Sequence, residues 1–317
     1  ARHPAIMGSI TLAPLKPETD NPAAHVTEAQ NPNTARIDEL STLALVQTIN
    51  EEDAKVQPAV TAILPQLAQA VDAVAARMRK GGRLIYFGAG TSGRLGVLDA
   101  SEVLPTFGVS PELVTGRIAG GYGALLHAVE DAEDNDLLGA QEIRELNVTE
   151  NDSIVGIAAS GSTPYVIGAL DEARQRGALT IGLACNPQAK LADHVDIALL
   201  PVPGPEVISG STRMKAGTAQ KMVLNILSTA VMIRQGKVYG NLMVDVVPTN
   251  SKLIARQRGI TAKACGISED AAAELLARCD GETKTAIVCH LAGVTPDEAR
   301  ARLKAADGFI RRAVQGA

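Results

Sequence analysis

Residues 85–96 read IYFGAGTSGRLG, a short apolar run that passes directly into a glycine-rich loop. The apolar stretch, residues 83–87, is typical of a strand buried in a parallel sheet. Residues 93–102, after the loop, have the pattern of a helix. The sequence therefore predicts a strand, a tight loop and a helix in succession, which is the basic unit of a doubly wound fold.

The loop itself has the spacing G-x-G-x-x-G, formed by Gly88, Gly90 and Gly93. This spacing is typical of loops that hold a dinucleotide, but alone it is weak evidence for any ligand. Thr91 and Ser92 add two hydroxyl groups where a dinucleotide loop needs only backbone. The loop could therefore hold either the pyrophosphate of a nicotinamide cofactor or a single phosphate group.

The alternation of strands and helices continues beyond this loop. Further strands are predicted at residues 113–118, 153–158, 179–184 and 196–200. Helices are predicted at residues 124–134, at 136–146, from Pro164 onward and at 214–234. This alternation predicts an α/β fold, a doubly wound parallel sheet with helices on both faces.

The chain divides into three predicted parts. Residues 1–34 are rich in Pro, Asn, Ala and Thr and predict a flexible N-terminal tail. Residues 35–248 form the sheet domain, which begins with helical apolar spacing over residues 37–79. Residues 249–317 predict a small C-terminal helical bundle, with helices at residues 255–264, 268–278, 282–292 and 295–315.

The composition excludes several classes of function. Aromatic residues make up 2% of the 317 residues and the net charge is −5, which disfavours stacking on single-stranded nucleic acid and binding of polyanions. The four cysteines form no C-x-x-C pair, so we expect reduced thiols in a cytoplasmic protein, with no metal site. We find neither a signal-peptide pattern nor a run of about 18 apolar residues that could span a bilayer.

A second loop also combines glycine with hydroxyl groups. ASGST, at residues 159–163, follows a predicted strand as GAGTSG does at residues 88–93. In an open parallel sheet such loops meet at one edge, where helix N-termini attract anions. A dinucleotide site would also need an acidic residue at the end of the second strand, but that strand runs into RIAGGYG.

A single phosphate therefore fits the two loops better than a dinucleotide does. The alternative is that the hydroxyls only cap helices, as Thr163 before Pro164 could. The candidate phosphate-binding residues are Gly90, Thr91, Ser92, Ser160, Ser162 and Thr163.

A third candidate segment is GPEVISGSTRMKAGTAQK, residues 204–221. Cations at the start of a helix are unfavourable against the helix dipole, so their presence here indicates an anion nearby. The alternative is a solvated first turn whose charges face water. The candidate binding residues in this segment are Glu206, Ser209, Ser211, Arg213 and Lys215.

Acidic residues follow the first loop in LDASE, residues 98–102, and again in HAVEDAED, residues 127–134. Exposed carboxylates are common, so most of these are expected to be solvated, and His127 is not a catalytic candidate. Glu102 differs because its neighbours in sequence are the apolar residues Val97, Leu98, Val103 and Leu104. We expect such surroundings to bury Glu102 and raise the pKa of its carboxyl group.

Together these segments and GNLMVDVVPTN, residues 240–250, resemble the bacterial N-acetylmuramic acid 6-phosphate etherases, in order from about residue 37 to 314. The Arg-Met-Lys motif is shared with the glucokinase regulatory proteins, and both families have the sugar isomerase fold. The resemblance implies a homodimer acting in cell-wall sugar recycling, with a C-terminal module like a ubiquitin-associated domain. One departure is Ser162, where similar etherases tend to have arginine.

The family reaction removes D-lactate from the C3 ether of the sugar phosphate and needs neither metal nor cofactor. By position in the motifs, Glu102 matches the acid that protonates the ether oxygen, and Glu133 matches the second carboxylate, the expected C2 base. A straight helix over residues 93–102 would place Glu102 about 14 Å from the phosphate loop. We therefore expect Glu102 to serve the active site of the neighbouring subunit.

Three alternatives from other classes remain at this stage. A non-catalytic sugar-phosphate sensor would not need both carboxylates. An aldose–ketose isomerase would need the C2 base but no acid at a C3 ether. A dinucleotide-dependent oxidoreductase is the least favoured, because the second strand lacks its acidic residue.

Overall fold

The computed structural model describes residues 26–127, 129, 131–248 and 250–316. Five strands form one parallel sheet in the order β2-β1-β3-β4-β5. The predicted doubly wound sheet is confirmed, with strand ends within a residue or so of the predicted ones. The strands are β1 (Leu84–Gly88), β2 (Val114–Ile118), β3 (Ser153–Ile157), β4 (Leu179–Leu183) and β5 (Ile197–Leu199).

Helices cover both faces of this sheet. One face packs against α2 (Val56–Ala62), α3 (Leu64–Met78), α4 (Gly90–Phe107) and α7 (Lys215–Arg234). The other face packs against α5 (Asp136–Glu145) and α6 (Pro164–Gln175). Every residue of β1, β3 and β4 is buried, as expected for strands covered on both sides, whereas the edge strand β2 alternates.

Two helix predictions in the sheet domain differ from the structure. The helix predicted at residues 93–102 is longer, since α4 begins at Gly90 and ends at Phe107. The helix predicted at residues 124–134 is absent from the described part of that segment, which holds two short 3₁₀ turns, Tyr122–Leu125 and Ala132–Asp134. Asp131, inside the predicted helix, has a positive φ angle of 64°, which interrupts a helical path.

The N-terminal part of the chain also differs from the prediction. The helical apolar spacing over residues 37–79 corresponds to three α-helices, with α1 (Thr42–Asp53) preceding α2 and α3. The predicted flexible tail lies outside the described residues up to residue 25, but residues 26–34 pack against the sheet domain. Asn31 is buried and donates to a Glu52 carboxylate oxygen at 2.8 Å and to the Pro205 carbonyl oxygen at 3.2 Å. The prediction of a flexible segment up to residue 34 therefore extends too far.

The C-terminal module has its own hydrophobic core, to which Val244 and Val246 also contribute. The helix predicted at residues 295–315 is two helices, because Asp307 and Gly308 adopt positive φ angles between them. The module's helices are α8 (Ser251–Cys265), α9 (Glu269–Arg278), α10 (Thr283–Ala292), α11 (Pro296–Ala305) and α12 (Ile310–Gln315).

Within the described ranges, no helix on its own has the length and apolarity to cross a membrane. One bent pair, Thr42–Ala62 with Leu64–Met78, satisfies those two criteria when taken together.

Candidate functional site

The two hydroxyl-rich loops leave the sheet side by side. β1 and β3 are adjacent and parallel, with Gly88 opposite Ile157 at their carboxyl ends. The chain passes from β1 outward to β2 and then returns to β3 on the other side of β1. The loops therefore flank the point where the strand order reverses, which is where open α/β sheets bind ligands.

The three glycines of the first loop are each required by the backbone. Gly90 has a φ angle of 51°, in the left-handed region that favours glycine. A Cβ on Gly88 would lie 2.7 Å from the Gly93 nitrogen, and a Cβ on Gly93 would lie 2.6 Å from the Gly88 oxygen. The G-x-G-x-x-G spacing is thus what close packing of β1 against α4 demands, so it does not by itself identify a dinucleotide.

The two hydroxyls of the first loop face different surroundings. Ser92 is buried, and its hydroxyl donates to the Gln220 amide oxygen of α7 at 2.9 Å. Thr91 is half-buried and its hydroxyl has no protein partner among the described residues. At this helix start the side chain of Thr91 and the backbone N–H groups are open to a ligand, while Ser92 fastens α4 to α7.

Gln220 is a residue that sequence reasoning missed. It is fully buried, and its amide nitrogen has no hydrogen-bond partner in the part of the chain that the structure describes. It lies within the quoted segment 204–221, five residues after Lys215, but nothing in that pattern singles out its side chain. Only the packing of α7 against α4 brings it to the phosphate loop.

The second loop presents its hydroxyls at the start of α6. Thr163 is the N-cap residue of α6, yet its side chain makes no capping hydrogen bond. The Ser162 hydroxyl donates to the Ser160 hydroxyl oxygen at 3.1 Å, and Gly161 between them has a φ angle of 77°. The capping role considered for Thr163 is therefore not observed, and its hydroxyl is available to a ligand.

Glu133 lies beside the first loop. It sits in the exposed 3₁₀ turn Ala132–Asp134 and lines a cavity of about 280 Å³ together with Gly90 and Arg94. Arg94 donates from Nε to the Leu125 carbonyl oxygen at 3.0 Å and from Nη2 to the Ala124 carbonyl oxygen at 2.8 Å. Arg94 was also missed from the sequence. These two bonds fix the turn Tyr122–Leu125 beside the cavity, and among the described residues the remaining N–H groups of the Arg94 guanidinium have no hydrogen-bond partner.

Glu102 is not where the sequence predicted. It is exposed on the surface of α4, so the expectation of a buried carboxyl group is wrong for the isolated chain. Residues four apart share one face of a helix, and Leu98, four residues before Glu102, is 51% exposed. Val103, by contrast, faces the core at 3% exposure. Apolar neighbours in sequence therefore divide between two faces of the helix.

Asp99, in the same LDASE segment, is buried instead. Its carboxylate accepts hydrogen bonds from the hydroxyl of Tyr86 at 2.8 Å and the amide of Asn225 at 2.6 Å. A third donor is the Ser228 hydroxyl at 3.1 Å. This carboxylate joins β1, α4 and α7 and does not face the loops.

Glu206 and Lys215 are not open to a ligand, so their assignment as binding residues needs correction. Glu206 is buried and accepts the backbone N–H groups of Lys215 at 3.0 Å and Ala216 at 2.9 Å. It thus caps the start of α7, and its burial raises the pKa of its carboxyl group. Lys215 is fully buried and donates from Nζ to Glu52 at 2.6 Å. The anion that the sequence predicted near this cation is a side chain of the protein itself.

Glu52 is the centre of that buried cluster. Burial works to raise its pKa, but hydrogen bonds from Lys215, Lys55, Asn33 and Asn31 outweigh this effect and lower the pKa to about 2. The other candidates in the segment, Ser209, Ser211 and Arg213, remain exposed or half-buried on its outer side. In the described ranges none of their side chains forms an internal hydrogen bond or ion pair.

This segment nevertheless lies against the first loop. A Cβ placed on Gly217 of α7 would lie 3.4 Å from Cγ2 of Thr91. The structure thus brings Thr91, Ser92 and Glu133 together around one loop, with the β3 loop alongside, whereas Glu102 does not line the same cavity.

Comparison with known proteins identifies similar domain families and solved structures. The chain matches the glucokinase regulatory protein N-terminal SIS domain over residues 66–174 and the SIS domain over residues 139–230. Among solved structures, a phosphoheptose isomerase from Francisella tularensis aligns at 20% identity with a TM-score of 0.48, over 61% of this chain and 100% of its own.

Curated relatives match over most of the chain. The N-acetylmuramic acid 6-phosphate etherase of Vibrio vulnificus (strain YJ016) is 56% identical, covering 91% of this chain and 96% of the relative. The protein of the same description from Aliivibrio fischeri (strain MJ11) is 55% identical, covering 92% of this chain and 97% of its own length. That from Aeromonas hydrophila is also 55% identical, over 90% of this chain and 96% of the relative.

Proposed function

Because this chain belongs to the N-acetylmuramic acid 6-phosphate etherase family, we propose that it is a carbon–oxygen lyase acting on that sugar phosphate in cell-wall sugar recycling. The observation that carries this proposal is the identity of 55–56% to curated etherases over about nine tenths of the chain. The reaction cleaves the bond between C3 and the ether oxygen and gives N-acetylglucosamine 6-phosphate and D-lactate.

The chemistry requires two proton-transfer groups. A carboxylate removes the proton from C2 of the open-chain aldehyde, and a carboxylic acid protonates the departing ether oxygen. Water then adds at C3 of the unsaturated intermediate, and a proton returns to C2. The net reaction consumes one water molecule and no oxidant or reductant, so a pair of carboxyl groups is sufficient for all the proton transfers.

The phosphate of the substrate binds between the two loops in this proposal. The N-termini of α4 and α6 direct free N–H groups to the same edge of the sheet, and Thr91 and Thr163 carry hydroxyls without internal partners in the described residues. Ser160 and Ser162 line the second loop, while Ser92 contributes its backbone N–H. Ser209, Ser211 and Arg213 complete the rim from the segment before α7.

Glu133 is the proposed C2 base. Its exposed turn lines the cavity that begins at Gly90, so a substrate anchored by its phosphate extends toward it. Arg94 lines the same cavity and provides a cation for the lactyl carboxylate, a role that Ser162 cannot take where similar etherases tend to have arginine. The hydrogen bonds of Arg94 hold α4 against the turn Tyr122–Leu125, whose Ala124 lines the same cavity as Glu133.

Glu102 is the proposed acid, supplied by the partner subunit of a homodimer. It lies 102 − 90 = 12 residues along the continuous helix α4, about 18 Å from the phosphate loop. This is too far for one sugar to span in the same chain. Leu98, one turn before Glu102 on the same face of α4, is 51% exposed, which fits a surface that a second copy covers. A cytoplasmic homodimer is part of the proposal.

The function is tested by incubating the purified chain with N-acetylmuramic acid 6-phosphate in H₂¹⁸O and measuring free D-lactate. We expect release of D-lactate and one ¹⁸O atom in the C3 hydroxyl of the sugar product. If no D-lactate is released, the result supports the non-catalytic sensor. If a sugar 6-phosphate is converted to its ketose and no D-lactate is released, the result supports the isomerase. Either result contradicts the proposal.

The sharing of Glu102 is tested separately with mixed dimers. Glu102→Gln and Glu133→Gln chains should each be inactive alone. Mixed dimers of the two should recover about a quarter to a half of the wild-type rate, because one of the two sites then contains both intact carboxyl groups. If mixing restores nothing while each variant still dimerises and folds, Glu102 does not act across the interface.

A further inference from the structure

A second and larger cavity lies at the opposite end of α7 from the phosphate loops. It has a volume of about 890 Å³ and separates the sheet domain from the C-terminal module. The sheet domain contributes the ends of α3 and α7, and the module contributes residues 307–312, around the start of α12. We call it the junction cleft. None of its lining residues lines the cavity at Gly90 and Glu133.

The junction cleft is basic in a chain that is acidic overall. Four arginines and two aspartates line it, which gives a formal charge of 4 − 2 = +2, whereas the whole chain carries −5. These charged lining residues are Arg79, Arg234, Arg311, Arg312, Asp72 and Asp307. Such a local excess of cations in a concave site raises the concentration of small anions there.

The arginines from the C-terminal module are held in defined positions. The guanidinium carbon of Arg311 lies 5.0 Å from the centroid of the Tyr239 ring, and that of Arg312 lies 4.5 Å from the centroid of the Phe309 ring. Stacking on a ring fixes the plane of a guanidinium and leaves its N–H edges free to donate. Neither arginine has a carboxylate partner among the residues that the structure describes.

The two arginines from the sheet domain are also available to bind an anion. Arg79 forms no ion pair within the described ranges, and the closest approach of Arg234 to a carboxylate is 3.6 Å, to Asp72, with both side chains mostly exposed. An exposed pair at that distance contributes little and is easily exchanged for a ligand. Four guanidinium groups therefore surround one cleft, and the described residues provide them with one weak carboxylate partner, Asp72.

We propose that the junction cleft is a binding site for a small phosphate monoester, separate from the catalytic pocket. Guanidinium groups donate two parallel hydrogen bonds to a phosphoryl group, and the volume is in the range of small-molecule pockets, which often lie between domains. A long polyanion is disfavoured because the rest of the surface carries a net negative charge. The site is distinct in kind from the phosphate loops, which use amides and hydroxyls.

The chain offers a local reporter for this site. It has no tryptophan, so Tyr239→Trp places the only indole in the cleft and keeps an aromatic ring under Arg311. Titration of this variant with glucose 6-phosphate should change the fluorescence in a saturable way. Glucose at the same concentration should not change it, and neither should sodium chloride at the same ionic strength. Arg311→Gln and Arg312→Gln in the same background should each weaken the apparent affinity about tenfold or more.

Two controls separate this site from the catalytic pocket and from general charge effects. Arg258→Gln removes an exposed arginine of α8 that does not line the cleft, and Thr163→Ala removes a hydroxyl of the second phosphate loop; neither should change the titration. A linear response, one that sodium chloride reproduces, or one unaffected by Arg311→Gln and Arg312→Gln would overturn the proposal.

Equilibrium dialysis of the otherwise unmodified chain gives a second measurement. With radiolabelled glucose 6-phosphate we expect two bound molecules per chain, one of which is lost in the Arg311→Gln/Arg312→Gln double variant. An unchanged stoichiometry in the double variant contradicts the junction cleft as a site. D-lactate release is measured independently, so failure here leaves the lyase proposal unaffected.

Discussion

Two regions of the molecule have similar sequences but different structural roles. The loops after β1 and β3 and the segment before α7 each bring glycine, serine and threonine to the start of a helix. In the loops, Thr91 and Thr163 keep their hydroxyls free of internal partners in the described residues. Before α7, Glu206 and Lys215 turn inward and satisfy the helix start from within the protein.

The difference shows what a charged helix start requires. The cation at Lys215 is unfavourable against the α7 dipole, and the buried carboxylates of Glu206 and Glu52 compensate it. Within the described residues, no side chain caps the starts of α4 and α6, so their N–H groups can receive an external anion. An internal partner makes the α7 segment a structural element, and its absence makes the other two candidates for binding.

The largest expected effect is on the buried cluster. Lys215→Met leaves the Glu52 carboxylate buried with less compensation, and we expect a loss of about 3–5 kcal/mol in the free energy of unfolding. The matched control is Arg213→Met, two residues earlier and exposed, which should change stability by less than about 0.5 kcal/mol. Urea denaturation measures both. Equal effects of the two substitutions would remove the distinction between the inner and outer sides of this segment.

The same cluster predicts a dependence of stability on pH. Glu52 has a folded-state pKa of about 2, below the ordinary 4.5, so its contribution is complete above pH 4.5 and is lost as pH falls toward 2. The size of the shift corresponds to roughly 3 kcal/mol. The stability difference between wild type and Glu52→Gln, measured in urea from pH 6 to pH 3, should therefore shrink with acidification. A difference that stays constant over this range would show that Glu52 is not held as a carboxylate.

A smaller effect is expected at the open loops, and there it concerns activity. Thr163→Ala should lower kcat/KM for the sugar phosphate roughly 10- to 100-fold, because a hydrogen bond to a charged phosphate is lost. Stability should remain unchanged, because the Thr163 side chain makes no capping bond. Ser268→Ala is the matched control, since Ser268 does cap α9 through the Ala271 N–H. That control should cost about 1 kcal/mol of stability and leave activity unchanged.

The two Thr163 outcomes have separate meanings. If Thr163→Ala destabilises the chain as Ser268→Ala does and keeps full activity, the hydroxyl is a cap and the second loop is not a phosphate site. If both stability and activity are unchanged, Thr163 neither caps α6 nor binds the phosphate, and the proposed contact of this hydroxyl with the substrate is wrong.

Much of this could be predicted from the sequence because it is local. Short apolar runs that alternate with helical patterns identified all five strands of the sheet, and the hydroxyl loops follow β1 and β3 as expected. The directions of side chains could not be predicted, since they depend on which helix face meets a neighbour. Asp99 and Glu102 are three residues apart on α4, yet Asp99 is buried and Glu102 is exposed. The hydrogen-bond partner of Lys215 could not be predicted either, because Glu52 is far away in the sequence.

Gln220 and Arg94 illustrate the same limit. Both lie inside segments that the sequence singled out, but their roles depend on contacts with another element, Ser92 for Gln220 and the Leu125 carbonyl for Arg94. Motif spacing identifies the residues that shape the backbone, such as Gly90, and is silent about side chains that join two elements.

The smallest expected effect concerns the backbone that carries Glu133. Asp131 has a φ angle of 64°, which glycine adopts more readily, so Asp131→Gly should change stability by less than about 1 kcal/mol and retain D-lactate release. Asp131→Val should instead lower activity, because a β-branched residue disfavours this conformation and displaces the turn that holds Glu133. Asn147→Val tests the same strain at φ 48°, far from the loops, and should reduce stability without reducing kcat. Equal losses of kcat in both valine variants would mean that the Glu133 turn has no special need for its left-handed residue.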